Sequence, residues 1–341
     1  MDSLVGHEKV LALLSRTAEQ DRPAHAYLFS GRDGIGKKGV AVIFACLLNC
    51  PNREQDADQT CPTCRRIVRE KHPDVVVERP ERGIIRIEQV RAARSFFRFA
   101  PVEARYRILI VDDAHLMNRS AQNALLKTLE EPPRASILIL ISSKPALMLP
   151  TVRSRCRRIR FKPIAVGELA ALLARRRDVE LARARVLAGV ACGSVARALT
   201  MDTSKTLDMR DGIVQILREP AKKGMAALLG LSEKISSDRA TALEAIELAS
   251  TWVRDLLTEK LGVESVDPIH SDLLDTTRLT AQHHSTDALL SVHEELRKAA
   301  GLIEAEINAN TRLVTDLMFL RLARILHGPT MGLGSSRSGK E

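Results

Sequence analysis

A chain of 341 residues with 45% hydrophobic content has room for two or three domains and a sizeable core, and its 3% aromatic content leaves the packing to aliphatic side chains and alanine, which favours helix. The 52 Lys and Arg against 42 Asp and Glu give a net charge of +10, which suits an anionic partner, while one Trp and two Tyr offer few platforms for base stacking. The first residues lead into an amphipathic stretch rather than a signal peptide, the apolar run 41–48 is too short to span a bilayer, and six cysteines in such a chain do not describe a disulfide scaffold, so a cytoplasmic protein is expected.

Residues 7–20 read as a helix with Val10, Leu11, Leu13 and Leu14 inward. "AHAYLF" (24–29) reads as a strand, "GRDGIGKK" (31–38) as a glycine loop and "KKGVAVIFACLL" as a buried helix. A cysteine-bearing insertion at 50–64 precedes a strand, "DVVVE" (74–78). "IRIEQVRAARSFFRF" is an amphipathic helix with Ile87, Val90, Ala93 or Arg94, and Phe97 on one side. "YRILIVDD" (106–113) is a continuous apolar strand ending in two carboxylates, as suits a parallel strand covered on both faces. Asn118 or Ser120 can cap the next helix, in which Ala121, Leu125 and Leu129 share a face, and Pro132-Pro133 stops it. "SILILIS" (136–142) is another buried strand and "RRIRF" a last one. This alternation predicts an α/β domain with a mostly parallel sheet up to about Pro163, followed by helices only: short ones over 166–200, broken and restarted at "ACGSVARAL", and longer ones over 204–327. The Gly- and Ser-rich tail 329–341 is expected to be disordered.

"GRDGIGKK" is one residue short of the phosphate-loop pattern G-x-x-x-x-G-K-[ST]. Gly31, Gly34 and Gly36 let backbone N–H groups curl inward, and Lys37 sits where a side chain reaches terminal phosphates. Position 38 should give a hydroxyl to Mg²⁺, and Lys38 has donors only. Asp112 suits a metal held through water, but Asp113 stands where a hydrolase of this kind wants the longer Glu to orient water. Phosphate binding and a loop retained without ligand both remain open; hydrolysis is not expected.

"NALLKTLEEPP" (123–133) followed by "SRC" (154–156), together with "HPD" (72–74), the cysteines and the altered loop, resembles the clamp-loader ATPases of the AAA+ class. The likeness is dense over 20–163, continues through "GSVARAL" (193–199) and resumes in "NANTRLVTDLMFLRL" (308–322). It implies an AAA+ α/β domain over 1–163, a helical lid over 164–203 and a helical collar for oligomerisation over 204–328. It also implies a hetero-pentameric ring with ATP-hydrolysing gamma or tau subunits and a delta subunit in the DNA polymerase III holoenzyme. Such a ring opens the beta sliding clamp and closes it around primed DNA, here through phosphate contacts. In this family the SRC arginine, here Arg155, reaches a neighbour's ATP site as an arginine finger. Ser142, Ser143 and Lys144 follow the strand where the family places a nucleotide-sensing residue, and Arg197 matches a second sensor from the lid; a plain structural reading of each stays open. Lys127 and Glu130 are expected to face a partner or solvent. A catalytically active clamp-loader ATPase and a stand-alone DNA-binding protein are the alternatives.

Cys61-Pro-Thr-Cys64 with Cys50 upstream offers thiolates for one Zn²⁺. The resemblance implies a four-cysteine site, but its second cysteine falls on Asp58 here, so Asp58 or Cys46 becomes the candidate fourth ligand. A redox pair is disfavoured on the expectation that C-x-x-C lies in an insertion and not at a helix start; free reduced cysteines are the plain alternative. Cys156 and Cys192 read as buried hydrophobes.

Overall fold

The computed structural model describes residues 6–51, 61–218, 229–305 and 310–327. They divide into two compact units: residues up to Glu168 together with Gly193–Arg197, and Leu169–Cys192 together with the residues from Ala198 onward. The division runs through the stretch expected to be a lid. The proposed tail 329–341 lies outside the described residues.

The first unit is built on five parallel strands, β1 (Ala26–Ser30), β2 (Val75–Glu78), β3 (Arg107–Val111), β4 (Ser136–Ser142) and β5 (Arg157–Arg160), in the order β2-β3-β4-β1-β5. Successive residues of a strand point to opposite faces. Tyr27, Phe29, Ile108, Ile110, Ile139 and Ile141 pack on one face under α1 (Glu8–Glu19), α2 (Lys37–Asn49) and α3 (Pro62–Val68), which contribute Leu14, Phe44, Leu48 and Ile67. Leu28, Leu109, Val111, Leu138 and Leu140 pack on the other under α4 (Ile87–Phe96) and α5 (Arg119–Glu130), through Val90, Ala93, Leu125 and Leu129. Both faces of β1, β3 and β4 are covered, which is why these three strands read as largely unbroken apolar runs rather than alternating ones, while β5 at the edge buries only Ile159. Each such side chain, fully buried, stabilises the fold by about 2 kcal/mol.

Two local expectations are refined. The inward stripe of α1 is Leu14, Thr17 and Ala18, so Leu13 faces out at 41% exposure, while Val10 and Leu11 are partly buried. Of the candidate caps, Asn118 serves: its Oδ1 accepts from the Ala121 N–H at 2.8 Å. "HPD" proves architectural. Asp74 is wholly buried, and its carboxylate accepts from the N–H groups of Val102, Glu103 and Ala104 at 2.9–3.0 Å and from Arg107 Nε at 3.2 Å. Burial pushes this carboxyl up, but those backbone bonds and Arg107 outweigh it and hold it below its ordinary range.

Among the described residues the second unit is built of helices and their connections, with no strand. α8 (Leu181–Val190) packs on α10 (Thr203–Arg218) and on α11 (Arg239–Lys260). α11 starts at an Asp238 cap and carries the buried Trp252. It packs in turn against α12 (Leu274–His283) and α13 (Thr286–Ala305), and α13 against α14 (Thr311–His327). In between, α7 (Val166–Arg177) and α9 (Val195–Thr200) each cross the boundary between units; a short α6 (Pro150–Ser154) precedes β5.

Candidate nucleotide cleft, cysteine cluster and exposed arginine

The strand order turns back at β1 and β4, so the segments that follow β1, β3 and β4 meet at the carboxyl end of the sheet, where open α/β sheets bind ligands. A cleft of about 470 Å³ opens there, lined by Gly34, Gly36, Lys37, Lys38, Asp112 and Asp113 with Val195 and Ala196 on one side. Gly34 and Gly36 have φ of +70° and +98°, left-handed conformations that only glycine adopts cheaply, and Gly36 is the N-cap of α2. Gly31 sits just outside, its N–H donating to the Ser142 carbonyl at 3.3 Å.

The loop binds itself. Lys37 is buried, and its Nζ donates to the carbonyls of Gly31, at 2.9 Å, and Arg32. Burial lowers its pKa, against the pull of Asp33, Asp113 and Asp112. The Gly34 N–H donates to Asp33 Oδ1 at 2.8 Å. Lys38 Nζ lies 3.1 Å from Glu70 Oε1, and Arg79 holds the same carboxylate. Arg79 first, then Lys38, keeps the Glu70 carboxyl below its usual range. Nothing near position 38 in the sequence announces this pair: Glu70 comes from beyond the end of α3.

Burial raises the Asp113 pKa, and Asp112 and Asp33 raise it further. Beside Asp113 stands His115, which no motif in the sequence marks. Its Nδ1 is 4.0 Å from Asp113 Oδ1 and its Nε2 lies 3.4 Å from Ser143 Oγ, so it links the end of β3 to the end of β4. The available signal was a histidine inside "DDAHLM", an otherwise apolar continuation. Burial lowers its pKa and favours the neutral ring. Ser142 is buried, and its Oγ has no hydrogen-bond partner among the described residues. The Arg197 N–H donates to Ser194 Oγ at 3.3 Å, while Val195 and Ala196 form the cleft wall. The Ala196 N–H reaches the Gly34 carbonyl at 3.3 Å.

Arg155 lies away from its own chain's cleft, on the residue after α6. Its side chain is 38% exposed, with Nη2 2.9 Å from Glu130 Oε1 and Nη1 donating to the Thr151 carbonyl at 3.1 Å. A second cleft of about 450 Å³, between α4 and α5, is lined by Arg91, Arg94, Arg98 and Lys127 with Glu131.

At the far end of α2 the cysteines converge. The Sγ atoms of Cys50, Cys61 and Cys64 all lie within 4.8 Å of one another, and all three residues are buried. Cys50 and Cys61 are 3.8 Å apart, which matches the roughly 3.8 Å edge of a tetrahedron built from Zn–S bonds of about 2.3 Å. The Cys64 N–H donates to Cys61 Sγ at 3.3 Å, so the donor set fits a thiolate-bound zinc. Cys46, also buried, sits beside the trio with its Sγ 3.9 Å from the Cys64 carbonyl. Asp58 lies outside the described residues. One expectation is corrected: C-x-x-C does stand at a helix start, since Cys61 is the N-cap of α3 with Pro62 at its first position. Proline in that place was a readable signal. Helix starts usually lower thiol pKa values, yet burial drives that of Cys64 upward, with Cys46 adding to it. Burial pushes the Cys156 thiol up to about 12, as for an inert core residue, whereas Cys192 is only half-buried and adopts a left-handed φ of +51°.

A family model described as DNA polymerase III, delta subunit, matches residues 6–165. The tau subunit of DNA polymerase III from Bacillus subtilis is 34% identical over 206 residues, 59% of this chain but only 36% of that protein. The delta' subunit from the same organism is 26% identical over 298 residues, 85% of this chain and 90% of that one. This chain thus spans about a third of the tau and gamma/tau relatives it matches and nearly all of the delta' relative. Among solved structures, a gamma-subunit-related protein of DNA polymerase III from Thermotoga maritima is 22% identical, covering 92% of this chain and 99% of that one, with a TM-score of 0.41. No described helix is long and apolar enough to cross a membrane.

Proposed function

We propose that the chain belongs to the clamp-loader family of DNA polymerase III delta', tau and gamma subunits, which it resembles, and that it acts as the delta'-type member of the ring, lending Arg155 to a neighbour's ATP site and hydrolysing little or nothing itself. The carrying observation is the placement of Arg155: half-exposed on the surface, outside the cleft formed by its own loop. A planar cation so placed has no phosphate to serve in its own chain and is available to one across an interface.

The chain's own cleft supports the second half of the reading. Gly34, Gly36, Lys37, Asp112, Asp113, Ser143 and Arg197 would make up a nucleotide site, but Lys38 brings an ammonium where a metal-binding hydroxyl belongs, and Asp113 is a short stand-in for a water-orienting Glu. The partners in this reading are gamma or tau and delta subunits, the beta sliding clamp and primed DNA. The basic cleft of Arg91, Arg94, Arg98 and Lys127 suits DNA phosphate. Zn²⁺ would be held by Cys50, Cys61 and Cys64, with Cys46 or Asp58 completing the shell; it would tie α3 to α2 as a structural metal.

The test is to mix this chain with gamma or tau and delta partners and measure clamp loading and DNA-stimulated ATPase. Arg155→Ala should leave assembly intact and depress the ATPase. Unchanged ATPase would remove the finger from the proposal, and steady turnover by the isolated chain, abolished by Lys37→Ala, would replace it with an active ATPase.

A further inference from the structure

Position 38 of a phosphate loop ordinarily gives its hydroxyl to Mg²⁺, and an acid at the end of a neighbouring strand completes the metal's surroundings. Here the cleft wall at that position is an ammonium. Lys38 Nζ is 3.1 Å from Glu70 Oε1, about a third of its side chain is exposed, and Arg79 grips the same carboxylate. Glu70 therefore has two cations for one charge, and Lys38 can leave it without stranding a carboxylate. Lys37 is similarly parked, on two uncharged carbonyls of its own loop.

We infer that Lys38 supplies the positive charge that a divalent ion supplies in other phosphate loops, so that this cleft takes a nucleoside polyphosphate in its metal-free form. The inference rests on the reading of the cleft as a nucleotide site. An ammonium is donor-only and cannot ligate Mg²⁺; a few ångströms away it repels the ion. Two lysines swinging from Glu70 and from the loop carbonyls onto a triphosphate meet its full charge when no metal is bound, and a charge smaller by two when one is. Asp112 and Asp113, which would share a metal elsewhere, line the same cleft as Lys37 and Lys38. Arg79 stays with Glu70 and keeps it neutralised.

The experiment measures ATP binding to the full chain by calorimetry, first in divalent-free buffer without chelator, so that any thiolate-bound metal is undisturbed, and then with saturating Mg²⁺. Binding should be about tenfold or more tighter without Mg²⁺. Lys38→Thr should reverse the order, and Lys37→Ala should abolish binding in both buffers. Tighter binding with Mg²⁺ by the unaltered chain would overturn the inference and leave the cleft reading intact. So would absence of binding by the unaltered chain with recovery of Mg²⁺-dependent binding in Lys38→Thr, which would make Lys38 a plug. No binding by either protein would overturn the cleft reading itself.

Discussion

Arg155 and Glu130 form an ion pair of 2.9 Å that joins the two segments most characteristic of this chain, "SRC" and "NALLKTLEEPP". Glu130 occupies the last turn of α5 and Arg155 the residue after α6, and the Thr151 carbonyl fixes a second edge of the guanidinium. The pair is too exposed to matter much for stability, where such bridges contribute roughly 0–1 kcal/mol. Its effect is on direction: a long side chain that would otherwise sample many rotamers is held in one. Arg155→Ala should therefore leave the melting temperature of the chain within about 2 °C of its starting value and, on the finger role proposed above, lower DNA-stimulated ATPase of the reconstituted loader by at least about tenfold. Arg155→Lys should behave like the alanine, because an ammonium cannot reproduce the planar fork.

The cysteine trio predicts a metal content. Purified chain should carry about one zinc per molecule by elemental analysis, and Cys64→Ser should lower that value and the melting temperature together. Less than about a tenth of an equivalent in the unaltered protein would exclude a structural site.

Asp74 predicts a stability change with no link to nucleotide. Asp74→Ala strips three backbone N–H groups of their acceptor and leaves the buried Arg107 without its counter-ion. Denaturant melts should show a loss of about 3–5 kcal/mol, with Asp74→Asn losing less. Because the folded carboxyl is held below its ordinary value, its contribution is complete above the unfolded pKa near 4 and is lost as pH falls through the lower folded value.

His270 predicts an acid sensitivity of the helical unit. It is wholly buried, its backbone N–H donates to Asp255 Oδ2 at 2.8 Å, and its ring Nε2 lies 3.1 Å from Thr251 Oγ1. Burial, helped by Arg210 and Arg254 and opposed by Asp272, lowers its pKa to about 3. The unfolded chain takes up this proton near pH 6.5 and the folded one does not until about 3, so the contribution is intact above 6.5 and declines as pH falls towards 3. The slope is about 1.4 kcal/mol per pH unit for the one proton, and urea melts between about pH 5 and 7 should show it. His270→Gln should flatten it.

The central strands and their covering helices were legible in the sequence because both faces of the sheet are buried there, giving runs such as "RILIV" and "SILILIS", whereas the edge strand β5, "RRIR", buries only Ile159. The loop and its lysines were legible because their spacing is local. What escaped was set by distance along the chain. Glu70 meets Lys38 from 32 positions away, and nothing in "IVRE" marks that glutamate for an ion pair inside a cleft. His115 was hidden by an apolar setting that reads as core. Leu13 faces out because a helix face is decided by what lies opposite, and α1, packed against α2, buries Leu14, Thr17 and Ala18. The helix start at Cys61 was missed although Pro62 announced it.

Gly34 carries a consequence for how such chains diverge. A methyl group there would stand 2.1 Å from Ser194 Oγ and 3.3 Å from the Ala196 side chain, on a backbone with φ of +70°. The requirement for glycine is imposed by the chain's own Ser194 turn, which uses the loop as a seat, and would persist if no phosphate ever entered the cleft. A lineage that abandons hydrolysis can thus replace the hydroxyl at position 38 at little structural cost, yet is barred from replacing the glycine four residues before it. At Gly34 the glycine records packing as well as phosphate chemistry, so its presence says less about function than the residue after the lysine does.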